Sequence, residues 1–228
     1  MLGKRFNPCF QTQNRACRLA VALLVVFTAL CAARALPALA ESLQTVVVKG
    51  DGQIELENAE KYVGGVICYQ EGAAFLLPPP DGWVGDPAVA GRLGLCGVFY
   101  PEGYDFNSAP AVMYPRLVKA LPGDSLEDRA QKQAALTLRE FRSLPGGQNL
   151  TLRKEKAYTA ASGLAFALRR FDNGPPPNVA EAAAYAIHND AIFIVVLSAK
   201  SAGQLLPYLP DLYAALDEVA AMDCVIEP

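Results

Sequence analysis

The residues of this 228-residue chain that could do chemistry are few and widely spaced. His188 is the only histidine. Zinc and iron centres usually gather two or more His or Cys ligands. A solitary histidine next to Asn189-Asp190 therefore reads as a surface or hydrogen-bonded residue at a turn. Cys96 and His188 could form a nucleophile–base pair, but neither has a supporting local pattern. The chain has no G-x-S-x-G, no H-E-x-x-H and no P-loop. Gly64-Gly65 and Gly146-Gly147 read as turn glycines rather than phosphate cradles. Asp211, Asp217, Glu218 and Asp223 lack calcium-loop spacing and read as a solvated helix face. The expectation is no catalytic, metal-binding or cofactor-binding residue, and no cofactor.

Two other groups stand out. Trp83, Tyr100, Tyr104, Phe106 and Tyr114 are an aromatic cluster in sequence. Core and edge packing is the plainer reading, and an aromatic groove for a peptide, glycan or lipid is the other. Of the six cysteines, Cys68, Cys96 and Cys224 would remain after cleavage behind Ala40, an odd set that suggests one disulfide and one buried thiol if the compartment is oxidising. Cys68–Cys224 is the favoured pair because it would tie the two ends of the domain together. Cys68–Cys96 competes with it, and three free thiols is the third alternative. Asn149-Leu150-Thr151 matches a glycosylation sequon, relevant only in a eukaryote.

The first forty residues suggest where such groups would work. Lys4, Arg5, Arg15 and Arg18 precede an apolar run, Leu19–Ala33. That run has signal-peptide length and falls short of the roughly 18 residues of a membrane-spanning helix. Ala38-Leu39-Ala40 then supplies the small-x-small cleavage pattern. Cleavage after Ala40 would remove five basic residues and no acids, leaving 188 residues with 15 Lys+Arg against 23 Asp+Glu. So acidic a chain repels phosphate backbones and lacks the basic clusters that hold proteins on anionic bilayers. The expectation is an exported protein, periplasmic or extracellular, with no nucleic-acid partner and no stable membrane insertion of the mature form.

The elements that must position these residues follow from periodicity. Thr45–Lys49 and Gln53–Glu57 alternate around Gly50-Asp51-Gly52, and Val63–Tyr69 and Ala73–Leu77 turn at Glu71-Gly72: two hairpins. Pro78–Pro80 ends the second. Residues 84–92 read as a loop or short helix, and Leu93–Tyr100 and Pro110–Ala120 as strands. Pro115 must then sit at an edge or bulge. Ser125–Leu144 carries Leu126, Ala130, Ala134, Leu138 and Phe141 on one helical stripe behind a Ser cap. Leu150–Tyr158, the segment at Leu164–Arg169, Val179–Ile187 and Ile192–Leu197 read as further strands. Ile192–Leu197 is apolar on both faces and so central. A helix from Pro210 through Ala220 is expected to close the chain. The fold class expected is α+β: one antiparallel sheet meander flanked by helices, an α/β/α sandwich.

Particular stretches resemble a known family. They are an apolar strand ending in Pro and Trp (Leu77–Trp83), the run FYPEG (Phe99–Gly103) and SAPAVMY (Ser108–Tyr114). A capped helix, strand meander and terminal helix follow. The whole, over roughly Ala73–Met222, looks like the Mog/PsbP-like superfamily. The resemblance implies an antiparallel sheet between helices and a binding or accessory role rather than catalysis. The histidines used by some photosystem members have no counterpart here. The domain plan is a signal peptide over 1–40, an extension with a hairpin over 41–62, and one α+β domain over 63–228. The function expected is a non-catalytic accessory or binding protein with an envelope protein as partner. The alternative is an envelope hydrolase whose site the sequence does not unite. Export predicts a mature chain that begins at Glu41. N-terminal sequencing of the native protein checks this, and an intact Met1 on a membrane-bound form overturns it.

Overall fold

The computed structural model describes residues 45–50, 53–56, 64–177 and 179–227. Residues 1–44, with the expected cleavage pattern Ala38-Leu39-Ala40, lie outside the described residues, as do Asp51 and Gly52 of the expected first turn. The strands in chain order are β1 (Thr45–Val48), β2 (Ile54–Leu56), β3 (Val66–Gln70), β4 (Ala73–Leu77), β5 (Trp83–Gly85), β6 (Phe99–Pro101) and β7 (Ala111–Lys119). They continue as β8 (Thr151–Lys154), β9 (Tyr158–Thr159), β10 (Ala165–Asp172), β11 (Ala180–His188), β12 (Ala191–Ala199) and β13 (Ala220–Ile226). The helices are α1 (Pro87–Leu93), α2 (Leu126–Arg142), α3 (Ala202–Leu205) and α4 (Leu209–Asp217), with a 3-10 turn at Leu206–Tyr208 between the last two.

All nine residues of β12 are buried. An apolar strand without a polar face must be covered on both sides, and the rest of the chain supplies that cover. Strand β12 pairs antiparallel with β7 and β11 at the centre of an eight-stranded sheet, in which the order β5-β6-β7-β12-β11-β10-β8 runs from edge to edge. Strand β9 pairs separately with the start of β10. One face packs under α2, where Ala130 and Ala134 meet Ile192, Ile194 and Val196. On the other face Phe193, Val195 and Leu197 meet α3, α4 and a second sheet. The second sheet has five strands in the order β2-β1-β13-β4-β3. Phe75 of β4 stacks flat on Phe193, ring centroids 4.6 Å apart, where the two sheets meet.

The α+β class therefore stands, but the single-sheet meander does not. Among the described residues there are two sheets, and the smaller is mixed because β1 runs parallel to β13. The difference originates at the C-terminus. The last helix ends at Asp217, short of Ala220, and Ala220–Ile226 forms a strand between β1 and β4. Met222 and Cys224 are buried at strand spacing, and the two neighbours satisfy the backbone groups. Those partners lie more than a hundred residues away in sequence, so local periodicity carries no trace of them. The β1–β2 hairpin of the 41–62 segment is likewise joined to the smaller sheet through β13.

Two other expectations change. Leu93–Tyr100 is not one strand: Leu93 ends α1, Gly94 caps it in the left-handed region at φ 65°, and β6 begins at Phe99. Leu150–Tyr158 divides into β8 and β9, both laid along β10. Pro115 lies inside β7 opposite Val195, but β6 meets β7 only at Phe99–Met113. Beyond Met113 that flank of β7 has no β6 partner, which suits a residue without an N–H.

Helix α2 forms as its spacing requires. The Ser125 side chain accepts from Asp128 N at 3.1 Å and satisfies an otherwise orphaned donor. The Asp128 carboxylate takes Lys132 Nζ at 2.9 Å. Ser125→Ala is expected to destabilise the fold by about 0.5–2 kcal/mol. A urea-unfolding midpoint unchanged by the substitution would show that the cap contributes nothing.

Candidate functional site

One concave feature lies at the edge of the larger sheet. The edge strand β8, its neighbour β10 and the α3–α4 segment enclose an open-sided groove of about 690 Å³. Alternation along β10 decides what points into it. Leu168 and Arg170 face the α3–α4 side, while Ala167, Arg169 and Phe171 face α2. Register places Arg170 directly opposite Arg153 of β8. Two like charges in that position repel, and Asp172 resolves the conflict. Its Oδ2 takes Arg153 Nη2 at 2.7 Å and its Oδ1 takes Arg170 Nε at 3.1 Å. The groove thus has a fixed cation–carboxylate–cation bridge at its β edge. Arg170 is almost buried and Arg153 is open to water.

The opposite wall is apolar. Leu206, Leu209, Leu212 and Tyr213 line it, and Leu206 is 56% exposed. Pro207 and Pro210 fall at the first positions of the 3-10 turn and α4, where a missing N–H costs nothing. Two carboxylates hold α4 in place. Asp211 Oδ2 accepts from Trp83 Nε1 at 3.1 Å, with Tyr208 edge-on to the indole. Asp217 Oδ1 accepts from Tyr158 Oη at 2.8 Å and from Ala161 N at 2.7 Å. These acids, expected as a solvated face, are structural clamps. Asp223 likewise accepts from His188 at 2.8 Å and from Asn189 Nδ2 at 3.0 Å. Those two bonds hold its carboxyl below the ordinary carboxylate value. His188 is the hydrogen-bonded residue beside a turn that the sequence indicated. Among the described residues no group of three or more His, Cys, Asp or Glu side chains converges.

The aromatic cluster does not assemble into a contact patch. Trp83 pairs with Pro101 and Tyr100 with Val84 across β5–β6, so Trp83 and Tyr100 point to opposite faces. Trp83 is buried in the core that contains Phe193. Tyr100 packs with Val89 and Val112 and donates to Asp86 Oδ2 at 2.9 Å; burial and Asp86 push its hydroxyl up to about 12. Phe106 and Tyr114 pack against that second cluster, and Tyr104 is half exposed. The reason is alternation: consecutive strand residues cannot share a face.

The favoured disulfide is also absent. None of Cys68, Cys96 and Cys224 is joined in a disulfide. Cys68 packs with Phe75 toward the larger sheet, whereas Cys224 packs with Ala74 and Leu76 on the other side of the smaller sheet. A sheet lies between the two sulfurs.

Sequence reasoning missed Glu181. It sits among alanines in β11, 6% exposed, on the α2 side of the large sheet. Its Oε1 accepts from Ser198 Oγ at 3.0 Å and from Tyr114 Oη at 3.4 Å. Burial pushes the carboxyl up to about 7 against the opposing pull of those hydroxyls and of Arg116. A lone acid inside the strand AEAAAYAIH was the available signal. Glu181 and Ser198 are sealed from solvent, so the pair offers no surface to a substrate.

No family model and no curated protein matches the chain. Among the solved structures similar to it are the following three. Cyanobacterial PsbP (CyanoP) from Synechocystis is 13% identical, with 65% of this chain and 85% of that one covered and a TM-score of 0.40. LpqN of Mycobacterium tuberculosis, described as involved in cell envelope biogenesis, is 17% identical over 68% and 86%, with a TM-score of 0.42. A Pseudomonas aeruginosa protein of unknown function is 13% identical over 78% and 96%, with a TM-score of 0.35. A PsbP protein is among the structures similar to this chain. Likenesses at these scores say nothing about function, which rests on the residues themselves.

Glu181 generates a pH prediction. Its folded value lies above the ordinary 4.5, so the folded state binds the proton more tightly than the unfolded state. Its contribution to stability is full below pH 4.5 and is lost as pH rises toward 7. The loss is on the order of 3 kcal/mol. Glu181→Gln is expected to remove that decline and to be more stable than the parent at pH 8. Equal pH dependence of the two urea midpoints would refute it.

Proposed function

We propose that this chain is a non-catalytic accessory protein of the cell envelope that binds an extended segment of another envelope protein in the β8–α4 groove. The observation that carries the reading is the pairing of an open apolar wall with a strand edge that has no partner among the described residues. Leu206 stands exposed on one side, and β8 closes its sheet on the other. An extended segment can add backbone hydrogen bonds at such an edge and place alternate apolar side chains in the adjoining groove. The charged groups there suit binding better than proton transfer, because Arg153, Asp172 and Arg170 are committed to one another. An envelope location rests on the basic n-region, the apolar run and the Ala38-Leu39-Ala40 pattern. Among the described residues no helix is long and apolar enough to cross a membrane.

A photoreactive side chain in place of Leu206 tests the groove in the native envelope. The expected result is a discrete protein adduct from position 206 and none from position 144, an exposed leucine at the end of α2. Leu206→Asp should weaken capture by at least about tenfold, the equivalent of roughly 1.4 kcal/mol. Equal labelling from both positions, or no adduct from 206, refutes the assignment.

A further inference from the structure

The two thiols that share the inter-sheet core point to a modification site. We propose that Cys68 and Cys96 are oxidised to a disulfide that ties the smaller sheet to the α1–β6 connection of the larger one. Cys68 faces the inter-sheet core from β3, opposite Phe75 in register, and is 1% exposed. Cys96 lies between α1 and β6 and packs against the same core. Gly97 presses the connection onto β3. A Cβ there would lie 2.6 Å from Val66 Cγ2, closer than real Cβ atoms come. Val66 and Cys68 are two residues apart on one strand, and so share a face. The close backbone approach that only glycine permits therefore delivers Cys96 beside Cys68.

The Cys96 thiol hydrogen-bonds to Cys68, and this contact lowers its proton affinity below that of an ordinary thiol despite partial burial. Burial raises that of Cys224, on the other face of the smaller sheet. Cys96 is partly exposed and Cys68 is not, so the order of events follows. The oxidant is a disulfide, either a small molecule such as glutathione disulfide or a protein disulfide carrier. The Cys96 thiolate attacks one of its sulfurs and releases the first oxidant thiol, forming a mixed disulfide. The Cys68 thiolate then attacks Cys96 Sγ and expels the second. Two protein thiols are oxidised, one disulfide is reduced to two thiols, and the protons of Cys68 and Cys96 pass to those leaving thiolates.

The test uses the processed chain beginning at Glu41, which leaves Cys9, Cys17 and Cys31 behind, equilibrated with excess glutathione disulfide and followed by non-reducing peptide mapping. The expected product joins the Cys68 and Cys96 peptides and leaves Cys224 free. Cys224→Ser should give the same joined peptides, whereas Cys96→Ser should leave Cys68 unmodified under the same conditions. The oxidised wild type should unfold at higher urea than the reduced form. A bridge from Cys224 to either partner overturns the proposal. So does a stable glutathione adduct on Cys96 with Cys68 still reduced, or free thiols at both positions after equilibration. The wild-type map decides the matter even if a variant fails to fold.

Discussion

A strand with no polar face governs this molecule. Ala191–Ala199 buries all nine side chains, and its two faces demand different covers. One is a single amphipathic helix, α2, whose alanines allow close approach to the sheet. The other is shared between the α3–α4 segment and a second sheet. Burial on this scale is the main favourable term in such a fold. The small side chains of β11, alanine at five of its nine positions, leave room for it on both sides.

Sharing one face between a sheet and a helical segment has a consequence. The two covers do not extend over the whole face, and the uncovered margin lies at β8 and β10. There the sheet presents a bridged pair of arginines to a leucine-lined wall. The wall is held by contacts made elsewhere: Trp83 grips Asp211 and Tyr158 grips Asp217. The groove is thus a by-product of packing, its wall held by part-buried hydrogen bonds. A wall held in this way lowers the ordering cost of binding.

Alternation is the second organising constraint. It sends Trp83 and Tyr100 to opposite faces and separates Cys68 from Cys224 by the thickness of a sheet. It also places Glu181 with Ser198 and Tyr114 as a buried polar cluster on the α2 side of the larger sheet. The carboxyl tolerates that position because it can remain protonated up to about neutral pH.

Local chemistry was readable from the chain alone. The Ser125 cap and the stripe of α2, the turns at Glu71-Gly72 and Asn189-Asp190, and the two-sided burial of β12 all depend on neighbours within a few residues. The burial of Trp83 and the hydrogen-bonded state of His188 follow from residue type and a nearby turn. The mixed second sheet, the terminal strand, the groove and the Cys68–Cys96 contact were decided by tertiary structure. Each depends on which strands become neighbours across long stretches of chain: β1 with β13, β8 with β10, and Gly97 with Val66. Periodicity fixes the face on which a side chain lies, but not what that face will meet.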